Sequence, residues 1–404
     1  MTTLTDPPEE SFRLSMLIND TRYRSYTFQF IALMLLIVFM SYLGWNLVQN
    51  LAEQGQNISY RFLGEPSGYD INQTPIEYDS QSTHLRASIV GVLNTIIVAF
   101  LGCVSATILG VTAGVLRLSP NWLVRKLMAA YVEAFRNVPV LIWILIIFSI
   151  MTAAMPAPSA FRGDAPDASM VFGAVAFTNR GVYVPSPIWG SGSLIVVLLF
   201  IASVIGVFAY RRYATKLLYD TGKLLPMGWP SLAILVLPSV IAYYILGQPI
   251  SLEYPELKGF NFGGGIHIRG SLIALWFALA IYTGAFIAEN VRAGIQAISR
   301  GQTEAAASLG LRPRRIMNLV ILPQALRIVI PPVISQYLNL TKNSSLAIAV
   351  GYMDVTGTLG GITLNQTGRA IETVLMLMLF YLLISLAISG VMNLYNNAMK
   401  LQER

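Results

Sequence analysis

The stretch EAAASLGLRPRRIMNLVILP, Glu304–Pro323, lies between two long apolar runs and carries one glutamate, one glycine, two prolines and three arginines. Just upstream, Ser299 followed three residues later by Gln302 fits a helix-opening capping box. Thr303–Leu309 are good helix formers. Gly310 fits the C′ position, Leu311 the apolar residue that packs back on the helix, and Pro313 a stop. The pattern predicts a helix of about ten residues, roughly 15 Å long, lying outside the membrane. Glu304 sits in its N-terminal half, where negative charge suits the helix dipole. Ala305–Ala307 leave a smooth surface for a close partner. Arg312, Arg314 and Arg315 start the return, and Pro323 opens the next apolar run. On these signals alone, the segment is either a helical loop without a partner or the place where another protein pushes on this one.

The flanks of this segment set the class of protein. The chain has 404 residues, 55% of them hydrophobic and only 12% charged, against about 25% charged in soluble domains. Phe28–Val48, Ala87–Leu116, Asn137–Phe161, Ile188–Tyr210, Leu224–Leu252, Gly270–Ala288 and Thr373–Met399 contain no Asp, Glu, Lys or Arg. Ala325–Val350 is an eighth run, interrupted by Arg327 and Lys342. About 20 apolar residues in a helix cross the hydrocarbon core. The runs do not alternate as barrel strands would. The expected fold is therefore an all-α polytopic membrane protein with about eight spans.

The formal net charge of +7 is placed asymmetrically. With the N-terminus inside, the inner segments hold Arg13, Arg22, Arg24, Arg117, Arg125, Lys126, Arg211, Arg212, Lys216, Lys223, Arg292, Arg300, Arg312, Arg314, Arg315, Arg327, Lys400 and Arg404. The outer segments hold only Arg61, Arg86, Arg162, Arg180, Lys258, Arg269 and Arg369. This positive-inside bias puts both termini and the Glu304–Pro323 segment in the cytoplasm, and it argues against nucleic acid as the reason for the charge. The first apolar run is too long for a signal-peptide core and reads as a retained anchor. Cys103 is the only cysteine, so no internal disulfide can form. His84 and His267 lie far apart with no ligand spacing around them, which gives no metal site. Met155–Gly192 and Gly247–Gly265 are rich in Gly and Pro and read as outer loops with turns.

Several charged and polar residues within or at the edges of the runs need a reason, since intramembrane charge costs about 2.5–3.5 kcal/mol. Glu133 and Arg136 are three apart on one helix face, as are Glu289 and Arg292, and each pair can satisfy itself near the inner interface. Lys342, surrounded by Asn339, Thr341, Asn343, Ser344 and Ser345, fits either a translocation cavity or a polar stitch in the bundle, with Pro331 and Pro332 expected to kink the span before it. Gly102, Ala106, Gly110 and Gly114 recur every fourth residue and form a small-residue face for close helix packing, within the bundle or against a second membrane subunit.

Neither H-E-x-x-H nor G-x-S-x-G occurs, which argues against an intramembrane enzyme. No G-x-x-x-x-G-K-[ST] occurs either: the only Gly-Lys pair, Gly222-Lys223, has Leu217 where the first glycine belongs. If ATP drives this protein, another subunit binds it.

The segment Glu304–Pro323 resembles the EAA loop of bacterial ABC importer permeases, whose pattern is EAA, three residues, Gly, nine residues, Ile, one residue, Leu-Pro. Glu304-Ala305-Ala306, Gly310, Leu322 and Pro323 fall in register, with Val320 in place of Ile. Tyr131–Leu145, Ile281–Ile298 and Pro323–Gly351 resemble core helices of polar amino acid permeases. This chain has Arg136-Asn137-Val138-Pro139 and Lys342-Asn343-Ser344-Ser345 where that family usually shows Arg-Gly-Thr-Pro and Lys-Asp-Thr-Ser. The long form, with an added first span and an inserted pair at Ser193–Gly247, looks like the permeases of general L-amino acid and glutamate/glutamine/aspartate/asparagine importers of Gram-negative bacteria.

The resemblance implies a type I ABC importer permease in the bacterial inner membrane, with residues 1–85 as tail, first span and outer loop. Residues 86–399 would be the permease domain, with an insertion at about 152–269 and a coupling helix at 299–315. It implies an ATP-binding cassette subunit carrying ATP and magnesium, a second permease of different sequence, and a periplasmic amino acid-binding protein. Thr303, Glu304, Ala305, Ala306, Gly310, Arg312 and Pro323 would contact the ATPase. Arg136, Glu289, Asn339, Lys342, Asn343 and Ser345 would line the substrate pathway. An ion-gradient-driven secondary transporter is the alternative, and it leaves the EAA-like loop unexplained.

Overall fold

A computed structural model describes residues 16–53, 55, 57–163 and 166–398. Arg13, Lys400 and Arg404, and the side chain of Arg22, which the charge argument invoked, lie outside the described residues. The chain divides into two units between Phe62 and Leu63.

The first unit contains α1 (Met16–Asn19) and α2 (Thr21–Glu53). Helix α2 has 33 residues, about 50 Å at 1.5 Å per residue. It encloses the expected first span, and none of its apolar stretch is buried against its own unit. A helix apolar on all sides is a membrane span rather than a surface helix of a soluble domain.

The second unit is organised around α8 (Gly270–Gln296), two-thirds of whose apolar stretch is buried. Helix α3 (His84–Leu116) opens on Thr83, whose hydroxyl accepts the Arg86 backbone N–H. It then lies along α8 through the predicted small-residue face. A Cβ on Gly110 would stand 2.6 Å from the Ile287 Cβ, and one on Gly114 would stand 2.7 Å from the Ala288 carbonyl oxygen. Gly102 meets Leu340 in the same way. The face is thus spent on packing inside the bundle. Leu275, Leu279 and Ile287 of α8 form the core with Val98, Ile144 and Leu340.

Helices α4 (Trp122–Asn137) and α5 (Val140–Ala154) follow. Asn121 caps α4 by accepting from the Leu123 and Val124 N–H groups. The run Asn137–Phe161, expected as one span, is instead the second arm of a pair bent by 106°. Pro139 is the cause: it lacks an N–H and forces the preceding Val138 into an extended conformation, φ −113° and ψ 133°. Helix α5 ends at Ala154, ahead of Pro156 and Pro158.

The insertion departs most from expectation. Helices α6 (Ser193–Thr221) and α7 (Gly228–Ile245) form a hairpin, and α6 runs on through Arg211, Arg212 and Lys216 rather than stopping at Tyr210. The flanking segments, read as loops, contain seven short strands: β1 (Ala176–Thr178), β2 (Gly181–Val184), β3 (Ser186–Trp189), β4 (Ile250–Glu253), β5 (Glu256–Lys258), β6 (Asn261–Gly263) and β7 (Ile266–Arg269). β2 is the middle of a three-stranded antiparallel sheet, with Gly181 opposite Arg269 and Tyr183 opposite His267. β3 pairs with β4 across the base of the hairpin. β7 leads directly into α8, so the sheet ties the insertion to the central helix.

After α8 come α9 (Arg300–Ser308) and α10 (Pro313–Ile316), a π-helical turn Met317–Ile321 and α11 (Leu322–Asn343). Helix α11 continues through Pro331 and Pro332. A 3-10 segment Ser344–Val350, a π segment Thr356–Thr363 and α12 (Leu364–Thr367) lead into α13 (Ala370–Ala398). Among the described residues, seven helices are long and apolar enough to cross a membrane, or eight with the bent pair.

Candidate functional site

Helix α9 is shorter by one residue than predicted, and its C-terminus is the most regular part. Gly310 adopts φ +76°, a left-handed conformation that favours glycine. Its N–H donates to the Ala307 carbonyl (2.9 Å), and the Leu311 N–H donates to the Ala306 carbonyl (3.4 Å). Those two bonds make a Schellman cap. Leu311 then packs with Ala306, Ile316 and Ile321, the predicted apolar contact.

The N-terminus differs. Ser299 is the N-cap residue, but its side chain makes no capping bond; its carbonyl accepts the Gln302 N–H instead. The Gln302 side chain reaches across to Gln324, whose amide donates to it at 3.4 Å. The anticipated capping box is therefore not formed. Pro313 starts α10 at its first position, where a missing N–H costs nothing. Pro323 is the second residue of α11, where its missing N–H is tolerated, although helical backbone already precedes it through α10 and the π-helical turn. Thr303, Glu304, Ala305, Ala307 and Arg312 are exposed and Ala306 alone is buried on this helix, leaving most of its surface available to a partner.

The second cluster centres on Glu289. Its carboxylate accepts from Arg292 on the same helix and from Arg117 at the end of α3. The guanidinium of Arg136, from the end of α4, stands 3.9 Å away. Arg136 also lies 5.2 Å from the centroid of the Phe286 ring. The expected Glu133–Arg136 pair is not formed: Glu133 accepts only a 3.4 Å bond from Asn137. Tertiary packing overrides the i,i+3 spacing here, because α4 is pinned to α8, where the Tyr131 hydroxyl donates to the Ile281 carbonyl at 2.7 Å. Glu289–Arg292 forms as read from the sequence.

Asn339, Lys342, Asn343 and Ser345 sit elsewhere. Leu340 packs at the level of Gly102, whereas Glu289 lies near Gly114, about 18 Å further along α3. The six candidate pathway residues are thus two groups at different depths, rather than one site. Asn339 and Lys342 are exposed, and Lys342 makes no ion pair among the described residues. Ser345 donates to the Lys342 carbonyl and Thr341 to the Tyr337 carbonyl, so these hydroxyls satisfy themselves on their own helix.

Sequence reasoning missed the polar seam at Asp354. This residue is fully buried, and its Oδ1 accepts the Gly357 N–H at 2.8 Å. Next to it, the Val355 N–H donates to Thr95 and the Tyr352 hydroxyl to the Asn94 carbonyl. The seam fixes the segment between α11 and α13 against α3. The available signal was Asp354 itself, an acid between Gly351 and Gly357 in a long stretch without other charge.

Residues 106–401 match the family described as binding-protein-dependent transport system inner membrane component. The chain belongs to this family. It is therefore a membrane-embedded ABC permease with the type I fold, working with separate subunits that include the ATPase. Membership leaves the ion-gradient alternative without support. The chain is 50% identical, over the whole of both proteins, to the glutamate/glutamine/aspartate/asparagine transport system permease protein BztB of Rhodobacter capsulatus. It is 39% identical to the general L-amino acid transport system permease protein AapQ of Rhizobium johnstonii, over 98% of this chain and 96% of that one. Among solved structures, an amino acid ABC transporter crystallised with histidines gives a TM-score of 0.45 at 19% identity, covering 78% of this chain and 95% of the other.

Proposed function

We propose that this permease carries L-amino acids from the periplasm into the cytoplasm by alternating access, driven by ATP hydrolysis on a partner. The observation that carries the reading is α9: a short, capped, almost wholly exposed helix at the EAA position. Its exposed face, with Thr303, Glu304, Ala305 and Arg312, docks on the ATP-binding cassette subunit, which holds ATP and magnesium. Ala306, Gly310 and Pro323 set the shape of the docking element. Both termini are cytoplasmic, in keeping with the charge bias. A second, different permease completes the pathway, and a periplasmic binding protein delivers the substrate. The names of the two relatives support L-amino acids as cargo, with acidic amino acids and their amides within the range.

The pathway role falls chiefly on Asn339, Lys342, Asn343 and Ser345. The exposed Lys342 ammonium is available to meet a substrate carboxylate or an acid of the second permease. Arg136 and Glu289 act at the cytoplasmic end, where the cluster braces the inner mouth as α3, α4 and α8 move.

Co-purification tests the reading. The tagged permease, co-expressed with its ATPase, is expected to retain it in detergent and to lose it when residues 300–308 are replaced by a Gly-Ser linker. Retention unaffected by that replacement would overturn the assignment of α9.

A further inference from the structure

The inserted β layer forms one wall of a partly open cavity of about 410 Å³ over the end of α5 and the start of α8. That volume lies in the usual range of small-molecule sites. Its walls include Arg180, Arg269, Asn179, His267, Thr152 and Ser271, and no Asp or Glu lines it. Both arginines are held by their backbones. Gly181 stands opposite Arg269 in the β2–β7 ladder with φ +130°, and a Cβ there would lie 2.3 Å from the Ile268 carbonyl oxygen. Only glycine permits that approach. The Arg180 carbonyl accepts from the Gly270 N–H at 3.3 Å and from His267 Nε2–H at 3.1 Å, which seats Arg180 over the start of α8.

The arginine side chains spend few of their donors. Arg180 gives one bond to the Phe260 carbonyl and Arg269 one to the Asn72 carbonyl. Neither meets a carboxylate among the described residues. The positive end of the α8 dipole, at Gly270 and Ser271, adds to the same field. The Asn179 side-chain oxygen, enclosed and without a donor among the described residues, leaves an acceptor on the same wall. Two guanidiniums, a helix N-terminus and one unspent acceptor match a small zwitterion with at least one carboxylate.

We propose that the insertion builds an entry vestibule in which Arg180 and Arg269 hold the carboxylate of an incoming amino acid before it reaches the spans. This rests on the proposed function and names a receiving site for that substrate, on a part of the chain that the Tyr131–Leu145, Ile281–Ile298 and Pro323–Gly351 resemblances do not include.

The test uses the complete importer in lipid vesicles, with radiolabelled L-glutamate and saturating loaded binding protein. The double variant R180Q/R269Q is expected to lower the maximal uptake rate about tenfold. The binding-protein concentration that half-maximally stimulates ATPase activity should stay within about twofold, and R180K/R269K should recover most of the rate. Uptake by R180Q/R269Q within twofold of the unsubstituted complex would overturn the proposal. So would a raised half-stimulating concentration at an unchanged maximal rate, which would make the arginines a docking surface for the binding protein instead. If the double variant fails to assemble, R180Q alone is judged by the same criteria, since that exposed guanidinium makes a single backbone contact. Failure of the unsubstituted complex to take up any amino acid with ATP would sink the functional reading itself and is read separately.

Discussion

The Glu289 carboxylate bonds the guanidinium of Arg117 across the seam between α8 and α3. With Arg292 and Arg136 beside it, one acid holds three helix ends together. Its side chain is 23% exposed, so the cluster is neither fully solvated nor fully buried. Glu289→Gln leaves three cations facing each other and is expected to cost about 1–3 kcal/mol, less than for a fully buried pair. Glu133→Gln, which loses one weak bond to Asn137, should cost under about 0.5 kcal/mol. Thermal unfolding of the detergent-solubilised complex checks this; equal shifts for the two variants would contradict the three-helix clasp.

Gly310 ends α9 in a conformation that proline cannot reach, because its ring locks φ near −65°. Gly310→Pro also deletes the N–H that bonds Ala307. Gly310→Ala keeps that bond and costs about 1 kcal/mol for the left-handed backbone. The proline variant should lose its ATPase on co-purification while the alanine variant keeps most of it. Equal retention by both would show that the cap does not shape the docking element.

The α3–α8 seam predicts a contrast between glycines. Gly110→Ala drives a methyl group to 2.6 Å from Ile287 and 2.8 Å from the Gly284 carbonyl oxygen, at a cost of about 1–3 kcal/mol. Gly390, inside α13, has nothing within 4 Å of its would-be Cβ. Gly390→Ala should therefore stay within about 1 kcal/mol of the parent. Yield and midpoint of unfolding for the two variants decide it, and the reverse order would mean that the seam is looser than described.

The outer sheet should loosen in acid. His267 stacks on Tyr183, with ring centroids 4.1 Å apart, and burial, reinforced by the Arg269 charge, holds its pKa below the ordinary value against the opposing pull of its bond to the Arg180 carbonyl. The folded sheet therefore prefers the neutral ring. Stability is full above the unfolded value of about 6.5 and falls as pH drops below it, where only the unfolded ring takes up a proton. Hydrogen-exchange protection of residues 256–270, corrected for intrinsic rates, should fall between pH 7.5 and 5.5. His267→Phe, which keeps an aromatic ring at this position, should flatten that dependence; an unchanged slope would assign it to another group.

The membrane class, the rough placement of most spans and the helix at α9 were legible in the sequence, because long apolar runs and a Gly310 cap are local signals; the break at Pro139 and the true ends of α6 were not. The small-residue face of α3 was legible too, though only the structure shows that α8 and α11 fill it. What escaped was set by distant contacts. The strands around the insertion are three or four residues long, too short for alternation to register, and they exist because Gly181 and Gly265 allow the segments before and after α6–α7 to pair. Arg136 was matched to its neighbour Glu133 because helix spacing is all that one sequence offers. Its partner lies on α8, 153 positions away.

The central claim is that a separate ATPase drives these spans through α9. Vesicles containing this permease, its second permease and the ATPase, supplied with loaded binding protein outside, test it directly. L-glutamate should accumulate only when ATP is enclosed, and Gly310→Pro should abolish that accumulation. Uptake that persists without enclosed ATP, or that an ion gradient alone supports, would contradict the account.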